Sequence, residues 1–293
     1  MKQGIILKAL SGFYYVYSDG VTYTCRARGK FRHQRIAPLV GDRVMITVLD
    51  EQTGALDDIL PRSNQFYRPA VSNIDQMVIV VSQAIPTSDP FLIDRIITVA
   101  EAANCQCVIC INKCDLDDGQ MLFDTYRKSG FPTVQVSART GEGIEELRRL
   151  IRGKVSAFTG NSGVGKSSLL NTLCPEMELA TGQVSDKLGR GRHTTRHVEL
   201  YAIDQNTLIA DTPGFSSFDT DRMELCRKTE MQKYFRDFAP YLDKCRFQDC
   251  LHMKEAGCAV IEAVDRGEIC RSRHNSYIRL VEQAALIPDW ERK

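Results

Sequence analysis

At 293 residues with 43% hydrophobic content, the chain has room for two or three domains with buried cores. Its 38 Lys and Arg against 37 Asp and Glu exclude a protein that coats nucleic acid by blanket positive charge. Eleven cysteines, an odd number, a start of Met1-Lys2-Gln3-Gly4 without a secretory apolar segment, and no run near the ~18 apolar residues of a membrane helix predict a soluble cytoplasmic protein with no membrane association. Nothing in the sequence signals strong oligomerisation, and a monomer is expected.

Residues 1–60 carry short strand-like runs at 4–9, 13–17, 21–28 and 43–48, broken by Ser18-Asp19-Gly20, Gly29 and Gly41-Asp42. Helical periodicity is absent there, and five short strands at this spacing fit a small β-barrel of the OB-fold type. Regions 1–65, 66–220 and 221–293 hold 9 and 6, 15 and 18, and 14 and 13 basic and acidic residues, so the basic excess is local to the first. Its focus is Arg26, Arg28, Lys30, Arg32 and Arg35, with Phe31 among them. Basic residues interleaved with an aromatic suit looped or single-stranded RNA, and a solvated hairpin edge would look the same. These three regions are the expected domains: an OB-fold RNA-binding domain, an α/β domain and a small C-terminal domain, with a hinge at 61–69.

From Asp75 onward strands alternate with helices: strand 77–82, helix 91–104, strand 107–111, helix 120–129, strand 133–136, helix 143–152, strand 154–159 and helix 167–173. This alternation predicts a parallel sheet covered on both faces, with ligands at the carboxyl ends of its strands. Gly160-Asn161-Ser162-Gly163-Val164-Gly165-Lys166-Ser167 is a complete phosphate loop between strand and helix, continued by Ser168. Its backbone N–H groups would cradle phosphates, Lys166 would reach the β- and γ-phosphates, and Ser167 would offer its hydroxyl to Mg²⁺. Asn112-Lys113-Cys114-Asp115 is a guanine-reading sequence: Asp115 can accept from the ring N1–H and the exocyclic amine, a donor pair adenine lacks. Val136-Ser137-Ala138 has the form of the loop whose backbone meets guanine O6. Because the base-reading motif precedes the phosphate loop, the chain resembles a circularly permuted GTPase. That resemblance implies that Asn112 braces the neighbouring loops and that Lys113 lies along the base.

Asp211-Thr212-Pro213-Gly214 follows the strand at 207–210. Asp211 is placed to hold Mg²⁺ through water, and the Gly214 N–H to sense the γ-phosphate. Residues 187–196, polar, basic and glycine-broken, suit a switch loop or a plain surface loop. Thr194 or Thr195 would supply a second hydroxyl to Mg²⁺, and the resemblance favours Thr195. Phe215 stands where a water-positioning glutamine is usual, and a phenyl ring cannot orient water. Either a partner completes the site or another residue substitutes, His193 being the candidate. In this permuted order the γ-phosphate sensor runs directly into the C-terminal region, a natural readout.

That region contains Cys245-x4-Cys250-x-His252-x5-Cys258, a ligand set for one closed, structural tetrahedral Zn²⁺ site in a domain with little core of its own. Helices are expected near 224–237, 259–266 and 275–285. Cys107 and Cys110, formally a C-x-x-C pair, lie inside a strand and read as core residues.

The barrel, the rotated GTPase motifs and the Cys/His cluster together resemble the RsgA/YjeQ/YloQ family of small-ribosomal-subunit biogenesis GTPases, over essentially the whole chain. The resemblance implies GTP hydrolysis to GDP stimulated by the 30S subunit, rRNA contacts from the flanking domains and a role in late maturation of that subunit. The residues alone leave open a signalling or transport GTPase and a non-catalytic guanine-nucleotide sensor.

Overall fold

The computed structural model describes residues 1–31, 36–67, 69–179, 198–211 and 227–286. Strands β1 (Lys2–Leu10), β2 (Phe13–Ser18), β3 (Val21–Ala27), β4 (Arg43–Val48) and β5 (Thr53–Ile59) run in the order β1-β2-β3-β5-β4, and β4 pairs back with β1 to close a barrel. The β3–β5 pair is parallel and the others are antiparallel, the Greek-key arrangement of an OB-fold. The β2–β3 turn shows how local chemistry sets register. Asp19 (φ 51°) and Gly20 (φ 84°) both take left-handed backbone, as a two-residue hairpin loop requires, and Ser18 pairs with Val21. Ile6, Val16, Cys25, Val44, Ile46 and Leu56 fill the interior and are fully buried.

The expected hinge is a packed connection. Strand β6 (Gln65–Tyr67) pairs antiparallel with β7 (Ala70–Ser72), and Phe66 and Val71 enter the central core. Arg62 grips the fully buried Asp42 carboxylate (Nε to Oδ1 2.7 Å, Nη2 to Oδ2 2.8 Å), to which Ser72 Oγ also donates at 2.6 Å. Breaking this connection would strand a buried charge, so it resists bending.

The central region contains β8 (Gln76–Val81), α1 (Pro90–Ala102), β9 (Gln106–Ile111), α2 (Gln120–Lys128), β10 (Thr133–Gln135), α3 (Ile144–Ile151), β11 (Val155–Thr159), α4 (Lys166–Leu173), β12 (Glu199–Ala202) and β13 (Leu208–Asp211). The sheet order is β10-β9-β8-β11-β13-β12; all pairs are parallel except β12 with β13. All six β8 residues are buried because both faces are covered. Met77, Ile79 and Val81 join Ile93, Ile96 and Ile97 of α1; Val78 and Val80 join Leu147 of α3 and Leu169 and Leu170 of α4. Helix α1 starts at Pro90 because Asp89 caps it, Oδ1 accepting from Phe91 N at 2.9 Å. The short strand β12, not anticipated from the sequence, also pairs with β1, Lys8 opposite Glu199, and so merges barrel and central sheet into one eleven-stranded sheet.

The C-terminal region departs from expectation in one place. Among the described residues of 224–237 there is no α-helix; two 3-10 segments, Met231–Tyr234 and Arg236–Lys244, flank an extended Phe235 (φ −108°, ψ 93°). This break lets Phe235 and Phe238 both enter the core, and Pro240 denies the second segment a backbone donor. Helices α5 (Ala259–Asp265) and α6 (Arg271–Ala285) follow. Helix α6 starts four residues before the expected 275, because its first turns bury Arg273 and His274 rather than apolar side chains.

Arg273, fully buried, donates from Nη1 to Asp94 of α1 at 2.7 Å and from Nη2 to Asp237 at 2.9 Å, and lies 4.5 Å over the Phe235 ring. Burial disfavours its charge, but the two carboxylates outweigh that and raise its pKa further. Arg273→Met should lower stability by about 3–5 kcal/mol, because both carboxylates stay buried without their cation. Urea unfolding of the metal-loaded protein should show the midpoint falling at constant slope, and a loss under about 1 kcal/mol would contradict the assignment.

Candidate functional site

The loops leaving β8, β9, β10 and β11 open on one side of the sheet, at the carboxyl ends of its parallel strands, and β13 ends on the same side at Asp211. Residues 160–165 link β11 to α4, whose free first-turn N–H groups make an anion site. Gly165, the N-cap residue, has φ +88°, and a Cβ there would lie 2.3 Å from Asn112 Nδ2. The glycine is therefore required by conformation and by close approach. Asn161, Lys166, Ser167 and Ser168 are half-buried, Val164 is fully buried, and Ser162 and Gly163 are exposed.

Asn112 joins three loops. Its Nδ2 donates to Val164 O at 2.8 Å, its Oδ1 accepts from Ala138 N at 3.1 Å, and its backbone N donates to Val81 O at 2.8 Å. Lys113, in left-handed backbone (φ 69°), donates from Nζ to Ile85 O at 2.9 Å, and Cys114 N donates to Val136 O at 3.1 Å. Pro86 meets the phosphate loop at Gly163, where a Cβ would be 2.9 Å from its Cγ. The loop after β8 thus forms a wall of the site, which sequence reasoning missed because it carries no motif.

Asp115 has both oxygens engaged. Ser137 Oγ donates to Oδ1 at 2.6 Å and Arg139 Nη2 pairs with Oδ2 at 2.8 Å. The Ser137 hydrogen bond first, and then the Arg139 charge, hold this carboxyl below the usual carboxylate range. It is ionised at neutral pH and acts purely as an acceptor. The guanidinium of Arg139, on a largely exposed side chain, covers one of the two Asp115 oxygens. Neither it nor the loop at 82–88 was marked from the sequence.

On the phosphate side, Lys166 Nζ contacts Asp211 Oδ1 directly. Asp211 and the Ser167 hydroxyl are hard oxygen donors suited to Mg²⁺, and the contact with an ammonium shows that this carboxylate already faces positive charge. His193, Thr194, Thr195, Gly214 and Phe215 lie outside the described residues.

A second centre lies in the C-terminal region. Cys245 Sγ, Cys250 Sγ, His252 Nδ1 and Cys258 Sγ all lie within 4.8 Å of one another. Cys245 and Cys258 sulfurs are 3.9 Å apart, and His252 Nδ1 is 3.4 and 3.3 Å from them. A tetrahedron with Zn–S bonds near 2.3 Å has sulfurs about 3.8 Å apart, so the donor set fits one Zn²⁺. Gln232 Oε1 sits 2.6 Å from His252 Nε2, which fixes the proton there and turns the Nδ1 lone pair toward the sulfurs. Burial pushes the Cys250 thiol up to about 12 and lowers the His252 pKa; a dication among these groups reverses that for the thiols.

Among the described barrel candidates, Arg26, Arg28 and Lys30 are exposed and each has a partner within the barrel. Arg26 lies over Phe13 at 4.6 Å, Arg28 pairs with Asp57, and Lys30 reaches Asp58 at 3.5 Å. Phe31, expected to stack on bases, is instead 4% exposed and belongs to the barrel core with Tyr23, Ile46 and Leu56, where its apolar ring is out of water. Arg32 and Arg35 lie outside the described residues. Cys107 and Cys110 belong to opposite faces of β9 and to different cores, so they are not a redox pair.

The RsgA GTPase family model matches residues 59–221, and the model of the RsgA N-terminal domain matches residues 3–56. The small ribosomal subunit biogenesis GTPase RsgA of Caldanaerobacter subterraneus subsp. tengcongensis is 45% identical over 284 residues, 96% of this chain and 95% of its own. The protein of the same name from Geobacillus thermodenitrificans is 45% identical over 289 residues, 97% of each chain. Among solved structures, YjeQ from Thermotoga maritima aligns with a TM-score of 0.82 at 34% identity, over 98% of this chain and 99% of its own. YloQ, described as a circularly permuted GTPase, aligns with a TM-score of 0.81 at 34% identity, over 98% and 96%.

Asp115→Asn should weaken GTP binding roughly a hundred-fold and improve binding of xanthosine triphosphate, whose C2 carbonyl accepts from the new amide. Competition against a fluorescent GTP analogue measures both, and an unchanged preference for GTP would exclude Asp115 as the base reader. For the second centre, Gln232→Ala should lower zinc affinity about 10- to 100-fold with one zinc still bound per chain at saturation, as read by metal analysis and chelator competition.

Proposed function

The chain belongs to the RsgA GTPase family, and from that premise we propose that this GTP hydrolase binds the small (30S) ribosomal subunit and assists its late maturation. The observation that carries the reading is whole-chain likeness: proteins named for small-subunit biogenesis are 45% identical over 96% and 97% of this chain, a span that takes in its barrel, nucleotide motifs and Cys/His cluster.

In this reading Asn112, Lys113, Cys114, Asp115, Ser137 and Ala138 hold the guanine, and residues 160–168 hold the phosphates. Lys166 neutralises the β- and γ-oxygens while Ser167, Thr195 and, through water, Asp211 keep Mg²⁺ in place. Gly214 senses the γ-phosphate. With Phe215 at the glutamine position, His193 orients the attacking water in its neutral form. The subunit stimulates hydrolysis, and hydrolysis releases the protein. Zinc at Cys245, Cys250, His252 and Cys258 is structural. Arg26, Arg28, Lys30, Arg32 and Arg35 serve rRNA phosphates, where a positive patch gives affinity that falls with salt. The protein acts as a monomer in the cytoplasm, where its partner is assembled.

Steady-state GTP hydrolysis, alone and with 30S subunits at two salt concentrations, tests the reading, with Lys166→Ala as the blank. Stimulation of at least ten-fold, weaker at high salt, is expected; no stimulation at either salt would move the partner to a protein. His193→Ala should reduce turnover about a hundred-fold with little change in GTP affinity, and equal losses in both would remove His193 from the chemistry.

A further inference from the structure

The odd positions of β2 carry three rings, Phe13, Tyr15 and Tyr17, each half-buried, while Val16 and Ser18 at even positions are buried and Tyr14 packs against the barrel core. Because side chains alternate along a strand, the three rings share the outer face. The register extends that face to both neighbours: Arg26 and Leu10 lie opposite Phe13, Thr24 and Lys8 opposite Tyr15, and Thr22 and Ile5 opposite Tyr17. Arg26 already places its guanidinium 4.6 Å over the Phe13 ring, so this ring presents a face to a planar cation.

Rings two residues apart on a strand are about 6.8 Å apart, twice the ~3.4 Å rise between stacked bases of a duplex. Bases that meet successive rings must therefore be unstacked from one another, as in an unpaired segment. The surrounding charge suits a polyanion: residues 1–65 hold nine basic against six acidic residues. The outer face of strands two and three is also the general oligonucleotide surface of an OB-fold.

We propose that the outer face of β2 with Arg26 and Thr24 of β3 is a stacking platform for single-stranded rRNA, taking two or three unpaired bases on Phe13, Tyr15 and Tyr17. The inference rests on the reading that the barrel faces the small subunit, and it supplies the aromatic surface that the buried Phe31 does not. Arg26 moves from ring to phosphate when RNA arrives. The row lies beside the nucleotide domain, since Lys8, opposite the middle ring Tyr15, pairs at 2.8 Å with Glu199 of β12, the strand beside Asp211, and Ile5, opposite Tyr17, packs against the central core.

The test uses the full chain loaded with zinc and a non-hydrolysable GTP analogue. Fluorescence anisotropy is recorded with an unstructured RNA of about twelve nucleotides, with the same RNA in a duplex, and with 30S subunits in competition. The single strand should bind more tightly than the duplex. Phe13→Ala and Tyr15→Ala should each weaken it about ten-fold, Tyr15→Phe should restore wild-type affinity, and intrinsic GTP turnover should stay unchanged. Tyr15→Leu keeps bulk on the strand and removes the flat ring, so it should behave as Tyr15→Ala even if the smaller residue disturbs folding.

Equal affinity for single strand and duplex, wild-type affinity in Tyr15→Leu and Phe13→Ala, or a loss that Tyr15→Phe does not restore would each overturn the platform. If the wild type and these variants bind 30S equally well, the platform fails and the ribosomal reading stands. If the wild type ignores 30S while the variants lose the oligonucleotide, the ribosomal reading fails and the platform stands.

Discussion

The nucleotide site depends on one buried amide. Asn112 ties the phosphate loop through Val164 and the guanine loop through Ala138, and its own backbone is hydrogen-bonded to the end of β8. These partners lie 52, 26 and 31 residues away, so sequence proximity does nothing to hold them together. Parallel strands bring their carboxyl ends to one side, but strand pairing leaves each loop free to move. The amide removes that freedom, because an unpaired buried donor or acceptor costs about 1–3 kcal/mol. The left-handed glycine at 165 follows from the same bond, since any side chain there would displace the amide.

A second constraint connects this site to the C-terminal region. Arg273 clamps α6 and the 3-10 segment at Asp237 to Asp94 of α1. Helix α1 begins just after the loop that meets Lys113 through Ile85 and Gly163 through Pro86, and that loop is closed by Ser88, whose Oγ accepts from Ser82 N at 3.0 Å and whose N–H donates to Ser82 O at 2.8 Å. The described C-terminal region is therefore fastened to the helix that follows this loop. The Cys/His cluster belongs to the same unit, whose core joins Val260, Ile269, Leu280 and Val281 to the aromatic cluster of Phe235, Phe238 and Tyr277; a metal held by the Cys/His cluster would brace the clamp. On the opposite side β1 performs the equivalent joining by pairing with β12.

The legibility of these features from sequence follows their range. Phosphate loop, base-reading tetrapeptide and metal ligands were readable because each is a local pattern with its own chemistry, and the order of the first two gave the permutation. The alternating strands and helices were readable because burial on both faces makes apolar runs, as in β8. What escaped was set by partners distant in sequence. Arg273 reads as a surface arginine on a polar stretch, Gln232 carries no motif, and β12 is four residues long and defined by the strands on either side. Phe31 looked exposed because charged residues surround it, while the half-buried alternation of β2 carried the aromatic face. Both errors come from judging one residue type by its neighbours instead of by strand periodicity.

Both functional carboxylates have cationic partners within the chain, Asp115 with Arg139 and Asp211 with Lys166. On the proposed reading, ligand binding at either end would be an exchange: guanine donors would take the place of the Arg139 guanidinium on Asp115, and Lys166 would leave Asp211, free to help hold Mg²⁺, for the phosphates. Exchange keeps the net gain from the correct ligand modest, since one favourable contact is lost for each one made. It makes the wrong ligand worse. Adenine offers Asp115 no donor pair, so it must either leave Arg139 in place and be excluded from the pocket or displace it and return nothing. Discrimination here comes from what the incorrect base must break, and the strength of the correct complex is left to the phosphate end, where the charge is greatest.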